Sequence, residues 1–134
     1  MEETHYSKVK NMILELGYNI STEYPEDELI IINDPESGIS NLAIGVADPL
    51  LIMEQILLDI ETTDNAFLIS LLKKNRDIVH GAFCLNEEGT KLIFRDTLQI
   101  ENLDLNELEG SINSLALLLT EYADELLKHL PLSK

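Results

Sequence analysis

The chain has 134 residues, and its 9 Lys plus Arg against 25 Asp plus Glu give a formal charge of −16 at pH 7 with His neutral. One domain spanning residues 1–134 buries roughly 68% of the surface it exposes when unfolded, and 45% hydrophobic residues supply a core that needs no disulfide staples. An isoelectric point near 4.3 repels phosphate backbones and anionic headgroups, which excludes nucleic acid and membrane surfaces as partners and favours a basic or amphipathic protein segment.

No apolar run approaches the roughly 18 residues that span a bilayer, and the start MEETHYSKVK carries acids where a signal peptide has a positive region, so a cytoplasmic location is expected. The single Cys84 excludes an intramolecular disulfide and a Cys-based zinc site.

Tyr6, Val9, Ile13 and Leu16 recur at spacings of three and four, which predicts a helix from Thr4 to Leu16 stopped by Gly17. From Tyr18 the period changes to two. Tyr18, Ile20, Thr22 and Tyr24 alternate with polar residues as in a half-buried strand, and Pro25 to Glu28 makes a turn. Leu29 to Ile32 is a second strand, Asn33 to Gly38 a second turn, and Ile39 to Ala47 a third strand in which Leu42, Ile44 and Val46 alternate.

Leu50 to Ile60 fits two patterns. Asp48 and Pro49 resemble a helix start, with Leu50, Met53, Leu57 and Ile60 on one stripe, while Ile52, Glu54, Ile56 and Leu58 fit a strand. Asp64 or Thr63 then caps a short helix whose apolar face is Phe67, Leu68, Leu71 and Leu72 and whose C-terminal end carries Lys73, Lys74 and Arg76. Val79 to Asn86 and Lys91 to Leu98 form a hairpin around Asn86-Glu87-Glu88-Gly89. Finally Asp104 and Glu107 cap a long amphipathic helix through Leu108, Ile112, Leu115, Leu119, Tyr122 and Leu126, running to about His129 before Pro131. Ala116, Leu117, Leu118, Ala123 and Leu127 widen its apolar arc beyond one sheet face, so part of it should meet a second chain or a ligand.

No P-loop, dinucleotide fingerprint, nucleophile elbow or HExxH is present, and Asp104 to Gly110 does not match a calcium loop. His5, His80 and His129 lie on separate elements, so no metal site and no cofactor are expected. Cys84 reads as a small packed hydrophobe. Glu26-Asp27-Glu28 and Glu121 with Asp124-Glu125 read as solvated surface or as a docking face for a cation. Without a nucleophile, base and orienter, no enzyme is expected.

The order helix, three or four strands, helix, hairpin, long helix resembles the type III secretion chaperone-like fold, and the second half resembles its YbjN-type and Tir-chaperone (CesT-like) members. The residues that carry this are Phe67 to Asn75, Gly81 to Gly89, Leu98, and Leu103 to Leu108. The resemblance implies that Leu50 to Ile60 is a strand. It also implies an α+β fold, with about five or six antiparallel strands and N-terminal, middle and long C-terminal helices in the order α-β-β-β-β-α-β-β-α. Members resembling secretion chaperones are cytoplasmic, dimeric and non-enzymatic, and they bind extended segments of client proteins. On that footing Val9, Ile13, Tyr18 and Ile20 are expected to receive a peptide, and Phe67, Leu68, Leu71 and Leu72 to pair two copies as a homodimer. A regulatory or sensory-transduction domain of the YbjN type, binding a signalling partner, is the alternative.

Overall fold

The computed structural model describes residues 4–60 and 64–127. Helix α1 (His5–Glu15) begins where Thr4 Oγ1 accepts the Ser7 N–H at 3.0 Å, and it ends two residues before Gly17, whose φ of +91° a side chain would resist. Three antiparallel strands follow, β1 (Asn19–Tyr24), β2 (Leu29–Asp34) and β3 (Ile39–Ala47). Each connecting turn is one residue past a Pro-led 3-10 turn and closes in the left-handed region, at Glu28 and at Gly38.

Leu50–Asp59 is strand β4. It lies between β3 and a later strand, so both of its backbone edges are paired, and both of its faces carry large apolar side chains besides Glu54 and Gln55. That double apolarity is why the segment also satisfies a helical stripe. Leu51, Met53 and Gln55 point into the core, Ile52, Glu54 and Ile56 point away from it, and a register shift between Ile56 and Leu58 returns Leu58 to the core.

Helix α2 (Asn65–Asn75) is capped by Asp64, whose side chain accepts the Phe67 N–H at 3.1 Å; the alternative cap Thr63 lies outside the described residues. The hairpin is β5 (Ala82–Leu85) and β6 (Lys91–Gln99). Its first strand is shorter than expected from Val79 onward. Gly81 has φ +84°, and a Cβ there would meet the Phe94 ring at 2.4 Å, so the backbone turns into the strand only after that close approach. Val79 therefore stands in a loop, 86% exposed. Helix α3 (Leu105–Leu127) is capped by Asp104, which accepts the Glu107 N–H at 2.8 Å. The expected end near His129 and Pro131 lies outside the described residues.

The six strands form one antiparallel sheet in the order β1-β2-β3-β4-β6-β5. One face meets all three helices. Val9 and Ile13 of α1, Phe67 and Leu71 of α2, and Leu108, Ile112, Leu115 and Leu118 of α3 pack with Ile30, Ile32, Leu42, Ile44, Leu51, Met53, Leu92 and Phe94 in a single cluster. Two polar side chains are buried in this layer and both are satisfied. Ser111 donates to Asp96 at 2.6 Å, and Gln55 accepts the Ser40 N–H at 3.1 Å while donating to the Gly38 carbonyl.

Candidate functional site

Strand alternation places a second set of side chains on the opposite face, which no helix of the described residues covers. Tyr24, Leu29, Ile31, Ile52, Ile56 and Ile93 stand there, joined across β4 and β6 by the register pair Ile56 and Ile93. Ile56 is 58% exposed and Tyr24 49%. Leu29 stands opposite Gly45 of β3, with its side chain over the glycine. Antiparallel sheets with one solvated face usually alternate apolar and polar residues. Here the solvated face carries a set of apolar residues, Tyr24, Leu29, Ile31, Ile52, Ile56 and the buried Ile93, set among Thr22, Asn33 and Thr97 and crossed by the Glu54–Arg95 ion pair. Such a surface is retained when a partner covers it.

The sheet has two outer edges, and they differ. At β5 the α2 residue Asn75 occupies the edge, accepting the Phe83 N–H and donating to the Phe83 carbonyl. At β1 no strand of the described residues follows on the outer side. Beside that edge Tyr6 donates to Glu23 at 2.6 Å and Lys10 pairs with the same carboxylate at 3.0 Å. Burial and the Glu23 charge push the Tyr6 hydroxyl up to about 12, and the bonds from Tyr6 and Lys10 hold the Glu23 carboxyl below its ordinary value.

Of the four residues expected to receive a peptide, Val9 and Ile13 are buried in the chain's own core, while Tyr18, just before β1, and Ile20, within it, are half-buried and pack against the same core. Burial raises the Tyr18 hydroxyl, and Asp34 and Glu109 add to the shift. Of the four expected at a dimer contact, Phe67 and Leu71 are core, Leu68 is half-buried and Leu72 is 69% exposed. Leu68, Leu71 and Leu72 join Phe83, Leu85 and Leu92 around an apolar cleft of about 450 Å³ between α2 and β5. The uncovered face was not singled out by sequence. Its available signal was the strand phase Ile52, Glu54, Ile56, which is the outward set.

Among the described residues no group of three or more His, Cys, Asp or Glu is placed to hold a metal ion. His5 pairs with Asp48 at 2.9 Å and His80 lies in the α2–β5 loop. Cys84 is half-buried on the uncovered face. Burial pushes its thiol up, with Glu54 adding and Arg95 opposing, which disfavours the thiolate. No helix of the described residues is long and apolar enough to cross a membrane.

Three solved structures share this architecture. YbjN of E. coli superposes with a TM-score of 0.67 at 11% identity, over 88% of this chain and 90% of that one. The Yersinia pestis type III secretion chaperone SycH, in complex with a stable fragment of YscM2, gives 0.61 at 18% identity over 94% and 99%. A chain of the ExsC–ExsE complex gives 0.63 at 17% identity over 96% and 98%. No curated protein matches. The fold is thus the type III secretion chaperone-like fold, as the order of elements and the Phe67 to Asn75 and Gly81 to Gly89 segments indicate. A family model, CesT_Tir_1, matches residues 2–131, and the chain belongs to that family.

Proposed function

We propose that the chain is a non-enzymatic, cytoplasmic protein-binding module that holds an extended segment of a client protein. The observation that carries this is the apolar sheet face left without a covering helix, continuous at Tyr24 with the strand whose outer edge is open. A client strand added along β1 projects alternate side chains to both sides, one set toward Tyr18 and Ile20 and the other toward Tyr24 and the uncovered face. Val9 and Ile13 support that edge from beneath. The SycH and ExsC complexes, in which a chaperone-like chain is bound to another protein, support the reading.

The cleft between α2 and β5 suits a second copy. Leu72 and Leu85 lie exposed at its mouth, and pairing them with their symmetry mates gives a homodimer with both β1 edges free for clients. A regulatory partner in place of a secretion client would use the same surface, and the identity of the captured protein distinguishes the two.

The test is capture from the native cytoplasm by wild type and by a Tyr24→Ser, Ile56→Ser variant. A client held by wild type, lost by the variant, and protecting β1 amides from hydrogen exchange is the expected result. Equal capture by both proteins, or no capture by an intact dimer at low salt, overturns the reading.

A further inference from the structure

A second apolar groove lies on the helical layer, away from the uncovered sheet face. It runs between the α2–β5 loop and one stripe of α3, with a volume of about 410 Å³. Val79 and Leu117 form its rim, 86% and 67% exposed, over a floor of Ile78, Leu118 and Tyr122. The loop is held at both ends. The Asp77 and Ile78 N–H groups donate to Lys74 and Asn75 carbonyls, Gly81 is locked against Phe94, and Ser114 donates to the His80 carbonyl at 3.4 Å. The groove is therefore preformed, which lowers the ordering cost of filling it.

Its fixed charges are acidic. Asp77 and Glu121 line it beside the His80 imidazole, neither acid makes an ion pair among the described residues, and no Lys or Arg lines it, Lys73 standing on the far side of Asp77 in the adjoining hollow. The nearby Lys74 is committed to Glu125 at 2.8 Å. A second copy of a chain with net charge −16 fits poorly, because symmetric pairing would oppose like carboxylates. We infer that this groove is a docking site for a basic amphipathic segment of a partner protein, with aliphatic side chains between Val79 and Leu117 and Lys or Arg at Asp77 and Glu121. The assignment rests on the reading of the chain as a protein-binding module and adds a contact surface to it.

The probe is a short fluorescent helical peptide with two leucines one turn apart flanked by arginines, alongside one version with glutamate for arginine and one with serine for leucine. The first peptide should shift the Val79 and Leu117 methyl resonances and bind saturably. Asp77→Asn with Glu121→Gln should weaken it about tenfold at low salt and less at high salt. Val79→Ser with Leu117→Ser should weaken it by a similar factor at both. Two controls should bind as wild type: Ile56→Ser on the sheet face, and Glu26→Gln with Asp27→Asn, which makes the same charge change in the β1–β2 turn. All substituted positions are exposed, so unchanged melting shows the fold intact. Wild-type affinity in both groove variants, equal binding of the glutamate peptide, or binding weaker than about 1 mM overturns the inference. So do Val79 and Leu117 shifts that depend on protein concentration without peptide, since a second copy would then fill the groove. Failure here leaves client capture by the sheet face, tested with Tyr24→Ser and Ile56→Ser, standing on its own result.

Discussion

The side-chain amide of Asn75 closes the outer edge of Phe83 with both of its polar atoms: Oδ1 accepts the Phe83 N–H at 2.8 Å and Nδ2 donates to the Phe83 carbonyl at 3.1 Å. The last residue of α2 thus imitates a neighbouring strand. An edge strand with free N–H and C=O groups is a template for unwanted pairing, and filling it at the middle of a four-residue strand leaves little to pair with.

Asn75→Ala should therefore cost about 1–2 kcal/mol, since both backbone groups of Phe83 lose a partly buried partner. Asn75→Asp keeps the acceptor, loses the donor and sets a carboxylate oxygen against the Phe83 carbonyl, so it should cost at least as much. Urea unfolding checks the stability, and light scattering should show higher-order species in Asn75→Ala that wild type lacks. An unchanged midpoint with no association shows the amide to be dispensable.

Gly81→Ala should be the most damaging single-methyl change in the chain's second half. It places a Cβ 2.4 Å from Phe94 Cζ and 2.9 Å from the Arg95 carbonyl, at a φ that disfavours any side chain. Overpacking and backbone strain together should cost about 3 kcal/mol, read as a loss of melting temperature. Gly17→Ala, with nothing within 4 Å, should cost only the backbone component and serves as the comparison.

The elements were legible where local chemistry decides them. Asp104, and Asp64 as one of two candidates, were legible as caps because a side-chain oxygen three residues before an N–H is a local relationship, whereas Thr4, read as the first helical residue, is the cap one position outside; the β1 to β3 alternation needs only one apolar face. β4 was ambiguous because its outward residues are apolar as well, and the shift between Ile56 and Leu58 breaks a strict period of two. The site was less legible. Val9, Ile13, Phe67 and Leu71 lie on the apolar stripes that sequence reveals, but a stripe says which face is apolar and not whether it is spent on the chain's own core. Residues left for a partner are those in excess, such as Ile56, Leu72 and Leu117, and the excess becomes visible only once packing is counted. Asn75 stands in sequence only as the last residue of the Phe67 to Asn75 run, and its role depends on β5 folding back to it.

Leu72→Glu should separate dimerisation from folding. Leu72 is exposed at the mouth of the α2–β5 cleft, so a charge there costs the isolated chain little while burying an unpaired carboxylate in a symmetric contact. Sedimentation should show the variant at 15.1 kDa and wild type at twice that mass, with similar melting at low concentration. A wild type that sediments as a monomer at micromolar concentration removes the dimer.

Tyr6→Phe should lower stability at neutral pH through loss of a hydrogen bond to a charged group. The Glu23 carboxyl is held below its ordinary value of 4.5, first by the bond from Tyr6 and then by Lys10. Its contribution is present above that value and disappears as pH falls through the lower folded value, where the carboxylate takes up a proton. The gap between wild type and Tyr6→Phe should accordingly be constant near neutrality and close below pH 4.5. Urea midpoints measured across that range check it, and a gap that does not change in acid assigns the loss to packing.

The acids at the end of α3 divide into two kinds, though sequence grouped Glu121, Asp124 and Glu125 together. Glu125 accepts from Ser70 at 2.9 Å and from Lys74 at 2.8 Å, and the Lys74 ammonium also sits 5.2 Å from the Tyr122 ring centre, so this carboxylate fastens α3 to α2. Glu121 and Asp124 are exposed and make no ion pair among the described residues; Asp124 lies within the last described turn of α3, where its charge opposes the helix dipole, and Glu121 lies a turn earlier, where the opposition is weaker. Glu125→Gln should thus cost about 1 kcal/mol, while Glu121→Gln with Asp124→Asn should raise stability by a few tenths of a kcal/mol. Added salt should shrink the gain of the exposed pair more than the loss at Glu125, because the Lys74 side chain is largely withdrawn from water. Melting of the two variants at low and high ionic strength decides it. A gain in stability at both sites means that the three acids act as one solvated cluster and that the link from α2 to α3 carries no stability, while a loss at both shows that Glu121 and Asp124 do not oppose the helix.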